Sequence, residues 1–180
     1  MERVRHGELM KKEVLTLALG IALLPPLWAV LAPYIGITTG SVALVCAAVY
    51  VANGNRVKDG LRISAGFLMG DLWAYLVMLI TDALDWNADL ELFVTLFAMG
   101  ALAVMIACAL PKAIFLPSWL CGWAVGLTVM APGGFENVGS LPLQIAVAML
   151  VGVWYVGFGV DAFQKLLLAK NHKVNEEAKN

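Results

Sequence analysis

The chain has 180 residues, of which 61% are hydrophobic and 14% are charged, and its formal net charge is −1. A soluble domain typically has about 45–50% apolar and about 25% charged residues, and a small domain has too much surface to hide this excess in one core. The composition, with a mean hydropathy of +0.83, therefore excludes a soluble enzyme, a disordered chain and a nucleic-acid-binding protein.

Six apolar segments are candidates for membrane-spanning helices, which need about 20 residues to cross a hydrocarbon core of about 30 Å. The predicted spans are Val14–Leu31, Ile35–Ala52, Ile63–Ile80, Leu92–Leu110, Ile114–Met130 and Leu141–Leu168. Backbone groups in lipid have no water partners, so each span should close its own hydrogen bonds as a helix. The predicted fold class is all-α, a polytopic integral membrane protein with one domain at 14–168, an N-terminal segment at 1–13 and a polar tail at 169–180.

The charged residues between the apolar segments and near their ends are sorted by sign. The basic residues lie in both termini and in alternate loops, and they are Arg3, Arg5, Lys11, Lys12, Arg56, Lys58, Arg62, Lys112, Lys165, Lys170, Lys173 and Lys179. The intervening loops have no Lys or Arg, and their acids are Asp82, Asp85, Asp89, Glu91 and Glu136. Because basic loops stay on the cytoplasmic side, six spans predict two cytoplasmic termini and a place in a bacterial inner membrane.

The first span follows a basic segment, as the apolar part of a secretory signal would. It continues to Tyr34 without a convincing small-x-small cleavage site, so we interpret it as an uncleaved helix. Pro25 and Pro26 remove two amide donors and are expected to kink or break this helix.

The third span contains an acid, Asp71, nine residues after Arg62 and therefore about 13.5 Å into the membrane. A carboxylate at this depth costs at least about 2.5–3.5 kcal/mol, so it must be protonated, face the interior or have a partner. Because the predicted spans contain no central Lys or Arg, the alternatives are a solute- or proton-binding acid and a neutral structural acid. Neighbours that could donate hydrogen bonds or line a passage are Ser64, Trp73, Tyr75, Thr128 and Gln144.

Glycines recur in three of the spans, in two of them as GxxxG, and they predict close helix packing or, alternatively, the lining of a narrow passage. These glycines are Gly66, Gly70, Gly122, Gly126, Gly152, Gly157 and Gly159. Spans 2–3 and 4–5 each pair a cysteine-containing helix (Cys46, Cys108) with a GxxxG helix. This similarity suggests a parallel repeat of the kind found in transporters, although small residues recur in any apolar helix.

The last span contains Asp161 four residues before Lys165, which predicts an ion pair near the membrane surface; a gate is the alternative role. Motifs of nucleophilic, phosphate-binding or metal chemistry are absent, and the two histidines, His6 and His172, lie in the terminal segments. We therefore expect no enzyme activity, no metal and no cofactor.

Several short motifs together resemble a known family. They are the turn Asn53-Gly54-Asn55-Arg56-Val57-Lys58-Asp59-Gly60-Leu61, then Ser64, Gly70, Trp73-Ala74, Leu116-Pro117, Gly122 and Ala131-Pro132-Gly133-Gly134. They are similar to the small bacterial inner-membrane proteins related to YcdZ, domain of unknown function 1097. The resemblance implies a compact multi-span protein without an assigned activity. The family pattern at residues 70–73 is Gly-apolar-apolar-Trp, from which Asp71 departs, so the resemblance transfers no site residue.

The leading functional hypothesis is a channel or facilitative transporter for a small polar solute, working as a homo-oligomer through lipid-facing glycines. The pathway candidates are Asp71, Trp73, Tyr75, Ser64, Trp119, Trp123, Thr128 and Gln144, with tryptophans as a constriction. A proton-coupled transporter that uses Asp71 and a non-transporting assembly or regulatory subunit are the alternatives. The expected partners are the lipid bilayer, further copies of the chain and the solute, and no nucleic acid.

Overall fold

The computed structural model describes the backbone of residues 2–84 and 86–177 and the side chains of residues 12–84 and 86–169. Every regular element in these residues is helical, as predicted, and the principal helices number six. They are α1 (Glu2–Leu31), α2 (Val42–Ala52), α3 (Gly60–Ala83), α4 (Ala88–Ala109), α5 (Leu116–Met130) and α6, in which Leu141–Val151, the π-helical segment Gly152–Phe158 and Gly159–Glu177 follow one another without a break.

Four stretches are long and apolar enough to cross a membrane, and they are Lys12–Ile35, Val57–Ala83, Ala88–Ala109 and Leu141–Ala169. Helices α2 and α5 have 11 and 15 residues, or about 17 and 23 Å at 1.5 Å per residue. The prediction that a helix begins at Ile35 was wrong. Gly36 adopts a left-handed φ of 79°, and the chain turns through residues 36–41 before α2 begins at Val42.

Helices α1 and α6 are longer than the predicted spans. The expected break at Pro25 and Pro26 does not occur, because α1 continues through both prolines to Leu31. Contacts support α1 on both sides of them: Gly20 lies against Val160 of α6, and the Trp28 indole donates a hydrogen bond to the Gly40 carbonyl. Helix α6 does not end at 168 but continues to residue 177.

Helices α3 and α5 form the most intimate pair in the described residues. A Cβ added to Gly122 would lie 2.6 Å from the carbonyl oxygen of Phe67, and one added to Gly126 would lie 2.5 Å from the Cβ of Ala74. Residues that come later in α3 therefore contact residues that come later in α5, so the two helices are parallel. Their glycines remove side chains where the backbones meet, which is the close approach that GxxxG predicts.

A second parallel pair consists of α2 and α6. Gly152 lies against Ala43 and Cys46 of α2, and Gly157 lies against the ring of Tyr50. Helix α1 runs antiparallel to α6, since the Glu13 carbonyl accepts a hydrogen bond from the Gln164 side chain, whereas Gly20, later in α1, lies against Val160, earlier in α6. Two ends of the bundle follow: the Arg62 end, with the loops 53–59 and 110–115, and the Gln144 end, with the loops 36–41 and 131–140.

The proposed repeat of spans 2–3 and 4–5 is not confirmed. Cys46 is buried against Gly152, whereas Cys108, its counterpart on α4, is exposed. The glycine helices α3 and α5 pack against each other rather than against equivalent neighbours. Gly66, Gly70, Gly122 and Gly126 are therefore covered inside the protomer, where they pack helices as predicted, and they do not face lipid.

Candidate functional site

The carboxyl group of Asp71 lies inside the helix bundle. The residue is 5% exposed, and its Oδ1 is buried with no hydrogen-bond partner among the described residues. Oδ1 points toward Gly126 of α5, 3.4 Å from the position that a Cβ would take there. A buried polar atom without a partner typically costs about 1–3 kcal/mol, so this oxygen is a group that needs a ligand, a proton or water.

Asp71 shares one face of α3 with two other candidate residues, Ser64 and Tyr75. They lie seven residues before it and four residues after it, spacings that return to the same side of a helix. Ser64 is buried, and its hydroxyl accepts a hydrogen bond of 3.0 Å from the Trp154 indole of α6. The Tyr75 ring contacts Phe135 near the Gln144 end, with 5.7 Å between ring centroids. These side chains form a row of polar groups along α3, which we call the Asp71 row (Ser64, Asp71, Tyr75).

Three candidate tryptophans lie on a different side of α3, against α4. Trp73 comes two residues after Asp71, about 200° around the helix, and its indole donates a 2.9 Å hydrogen bond to the Met99 carbonyl. The ring of Trp119 meets it edge to face at 5.1 Å, and the ring of Trp123 lies near Gly100. The structure thus brings the tryptophans together, with Trp73 facing away from the Asp71 row and Trp123 packed against both hydrophobic clusters of the core.

The side chains of Thr128 and Gln144 already have hydrogen-bond partners. The Thr128 hydroxyl is exposed and donates to the Ala124 carbonyl on its own helix. The Gln144 side-chain oxygen accepts 2.9 Å hydrogen bonds from the amide and hydroxyl of Thr38. Gln144 therefore fastens the loop before α2 to the start of α6, and neither residue contributes a free polar group to the Asp71 row.

Asp161 and Lys165 form the predicted ion pair on α6. The Lys165 Nζ lies 2.6 Å from Oδ2 of Asp161, and the side chains are 69% and 8% exposed, respectively. Sequence reasoning did not single out Tyr50 of α2, whose ring packs on Gly157 one turn before Asp161, because a tyrosine in an apolar helix is usually a packing residue. Its side chain is 0% exposed, and its hydroxyl has no partner among the described residues.

At the Arg62 end, one side chain fixes the loop between α4 and α5. The Arg62 guanidinium donates to the Pro111 carbonyl at 3.1 Å, lies 5.2 Å from the Phe115 ring centroid and pairs with Asp59 at 3.7 Å. These contacts align the starts of α3 and α5, which in turn sets Gly126 opposite Asp71. In the side chains of 12–84 and 86–169, no three His, Cys, Asp or Glu residues form a group that could hold a metal ion.

One known protein family matches most of the chain. Residues 18–165 match the family described as protein of unknown function (DUF1097). The chain belongs to this family. The match includes the polar and charged residues described above on α2, α3 and α6, which are Tyr50, Arg62, Ser64, Asp71, Tyr75, Gln144, Asp161 and Lys165. No curated protein and no solved structure matches the DUF1097 chain, so its function has to be argued from its own side chains.

Proposed function

We propose that this DUF1097 protein is a six-pass protein of a bacterial inner membrane with both termini in the cytoplasm. Six successive crossings require odd-numbered helices to be parallel to one another and antiparallel to even-numbered ones. The packing supports this order, since α3 is parallel to α5, α2 is parallel to α6 and α1 is antiparallel to α6. The charge pattern supports the orientation, with the basic residues at the Arg62 end.

We further propose that the protein is a channel or facilitative transporter for a small polar solute. The observation that carries this proposal is the Oδ1 atom of Asp71, buried without a partner between α3 and α5. A purely structural acid at this depth would be expected to use its acceptors, because buried polar groups are nearly always hydrogen-bonded. Intramembrane acids that face a bundle interior typically mark a solute or proton path.

The Asp71 row gives the path a direction. Tyr75 lies toward the Gln144 end, Asp71 lies near mid-depth, and the hydroxyl of Ser64 lies about 10 Å from Asp71 toward the Arg62 end at 1.5 Å per residue. A solute with hydrogen-bond donors, and above all a cation, would find oxygen acceptors at each of these levels. The tryptophans Trp73, Trp119 and Trp123 have a different place in this proposal, as packing residues that hold α4.

The test is solute uptake by the purified protein in liposomes, measured for a panel of small cations and neutral polar solutes. Loss of a charge-assisted contact, which contributes about 1.5–3 kcal/mol, should make Asp71→Asn uptake at low solute concentration about tenfold slower or worse. Asp82→Asn, an exposed acid at the end of α3, is the matched control and should retain the rate. Equal rates in wild type and Asp71→Asn would contradict the proposal.

A proton-coupled transporter is the second candidate, because an unpartnered carboxyl is also a proton-binding group. It differs in one measurable property: an imposed pH gradient drives uptake in the wild type and no longer does so in Asp71→Asn. A homo-oligomer remains part of both proposals. Since the glycines of α3 and α5 are covered inside the protomer, its interface would lie elsewhere. Absence of uptake for every solute, with another membrane protein copurifying, would favour the assembly-subunit alternative.

A further inference from the structure

A second polar group is buried where α2 meets α6. The ring of Tyr50 packs on Gly157, where an added Cβ would lie 2.7 Å from the tyrosine Cδ1. Any side chain at residue 157 would displace the ring. Tyr50 is wholly buried, and its hydroxyl has no hydrogen-bond partner among the described residues. A buried hydroxyl held this firmly has oxygen lone pairs available for a ligand.

The buried acid nearest to this contact along α6 is Asp161. Asp161 lies one helical turn beyond Gly157 on the same side of α6, so it lies on the buried face of α6 that packs against α2. The carboxylate is buried, yet its ion-pair partner Lys165 is 69% exposed. The Lys165 ammonium group therefore reaches the buried acid from the surface. Holding its long, flexible side chain in this one conformation costs rotamer entropy.

The position of this pair continues the line of the Asp71 row. Trp154 of α6 donates to Ser64, and Asp161 lies seven residues further along α6 toward the Arg62 end. From Asp71 to Ser64 and from Trp154 to Asp161, each interval is about 10 Å along a helix axis. A solute that leaves Asp71 toward the Arg62 end would meet Asp161 and Tyr50 next.

We propose that Asp161 and the Tyr50 hydroxyl form a second binding site for a small primary ammonium cation, which Lys165 occupies as a tethered competitor. This inference rests on the proposed solute path and names the class of solute. The argument for an ammonium group is chemical: the site already holds one, at 2.6 Å from Oδ2, and a free ammonium group has the same three donors. The entering cation displaces the Lys165 Nζ into water and takes its place at the buried Asp161 carboxylate, so the acid is not left unpaired.

The first experiment measures binding without transport. Full-length protein with Asp71→Asn, which removes the first site, is melted in detergent with increasing methylammonium chloride, and sodium chloride serves as the ionic-strength control. A ligand that binds the folded state raises the melting temperature. A tethered group competes at millimolar or higher effective concentration, so adding Lys165→Met should produce this rise at methylammonium concentrations about tenfold lower. Adding Lys58→Met, an exposed lysine of the 53–59 loop, should leave the midpoint where it was.

Two further variants decide whether the tighter methylammonium binding of the Lys165→Met protein belongs to this site. Asp161→Asn in the Lys165→Met background should abolish the methylammonium-dependent rise, and Tyr50→Phe, which keeps the ring on Gly157, should weaken it. If Lys165→Met is unstable, Lys165→Gln takes its place. An unchanged concentration dependence in the lysine variant, or a gain that persists with Asp161→Asn, would overturn the proposal.

The second experiment measures transport and separates the two proposals. In liposomes, Lys165→Met with the native Asp71 should take up methylammonium several-fold faster than wild type at low concentration. If Asp71→Asn does not change wild-type uptake, the proposed path through Asp71 fails, while the melting experiment still reports on Asp161. If uptake depends on Asp71 but the melting experiment shows no effect of Lys165, the second site is refuted and the path stands.

Discussion

At the scale of single residues, glycines decide how closely the helices approach. Gly70 and Gly122 lie where the backbones of α3 and α5 meet: a Cβ on Gly70 would be 2.5 Å from the Trp123 amide nitrogen, and one on Gly122 would be 2.6 Å from the Phe67 oxygen. Backbone atoms cannot move aside as a side chain can. Gly100 of α4 is different, since its nearest neighbour would be the Trp123 ring at 3.8 Å.

This contrast predicts the effect of adding one methyl group. Gly70→Ala and Gly122→Ala should each destabilise the protein by about 1–3 kcal/mol or more, because the methyl group overpacks a tight backbone contact. Gly100→Ala should be neutral or stabilising by up to about 1 kcal/mol, since alanine is favoured over glycine inside a helix. Thermal unfolding of the three variants in detergent measures the difference, and equal stability of all three would show that the backbones are not in close contact.

At the scale of elements, α4 is, like α1, packed more sparsely than α3 and α6. Its 18-residue apolar window is 22% buried, compared with 56% for the Val57–Ala83 stretch, and Phe93 and Phe97 stack on each other on its exposed side. Its inner side holds a row at four-residue spacing: Glu91, Thr95, Met99, Ala103 and Ala107. The Asn87 side chain caps its start by accepting from the amides of Asp89 and Leu90.

Because tertiary contacts support α4 weakly, its cap should matter. Asn87→Ala leaves two amides without a partner and should destabilise the helix start by about 1 kcal/mol, whereas Asn87→Asp keeps an acceptor and should have little effect. Hydrogen exchange of the first-turn amides of α4 is the direct measurement. Identical exchange in Asn87→Ala and wild type would show that the cap is dispensable.

The π-helical segment of α6 has a geometric reason. The buried residues Ile145, Met149, Val153, Gly157 and Asp161 recur every four residues, and each such step overshoots an α-helical turn by about 40°. Four steps would turn this row about 160° away from α2. The wider turns of a π-helix compensate for part of this rotation. Gly157 therefore still meets Tyr50, and Asp161, one turn after Gly157, stays buried.

At the scale of the whole molecule, the direction of the helices and the sign of the charges agree. The Arg62 end also includes Arg56, and the Gln144 end includes Glu136. In a six-pass arrangement these two residues lie on opposite sides of the membrane. Two crossings would then be made by the short helices α2 and α5 together with their flanking residues.

Labelling with a membrane-impermeant maleimide tests this arrangement. Arg56→Cys and Glu136→Cys are made separately with Cys108→Ser, which removes the exposed native thiol. The cysteine at 136 should react in intact cells, and the cysteine at 56 should react only after the membrane is opened. Reaction of both in intact cells would contradict the six-pass topology and, with it, the direction of the proposed path.

The sequence by itself determined the helical class, the approximate limits of most helices, the sorting of charges and the Asp161–Lys165 pair, because hydropathy and neighbour spacing are properties of short segments. It also indicated that Gly66, Gly70, Gly122 and Gly126 allow close approach. The tertiary structure decided which backbone approaches them, the turn at Gly36, the continuity of α1 through Pro25–Pro26 and the packing of Tyr50 on Gly157. The physical reason is that an apolar helix offers similar surfaces all around its axis, so its rotation and partners are set by packing between segments distant in the chain.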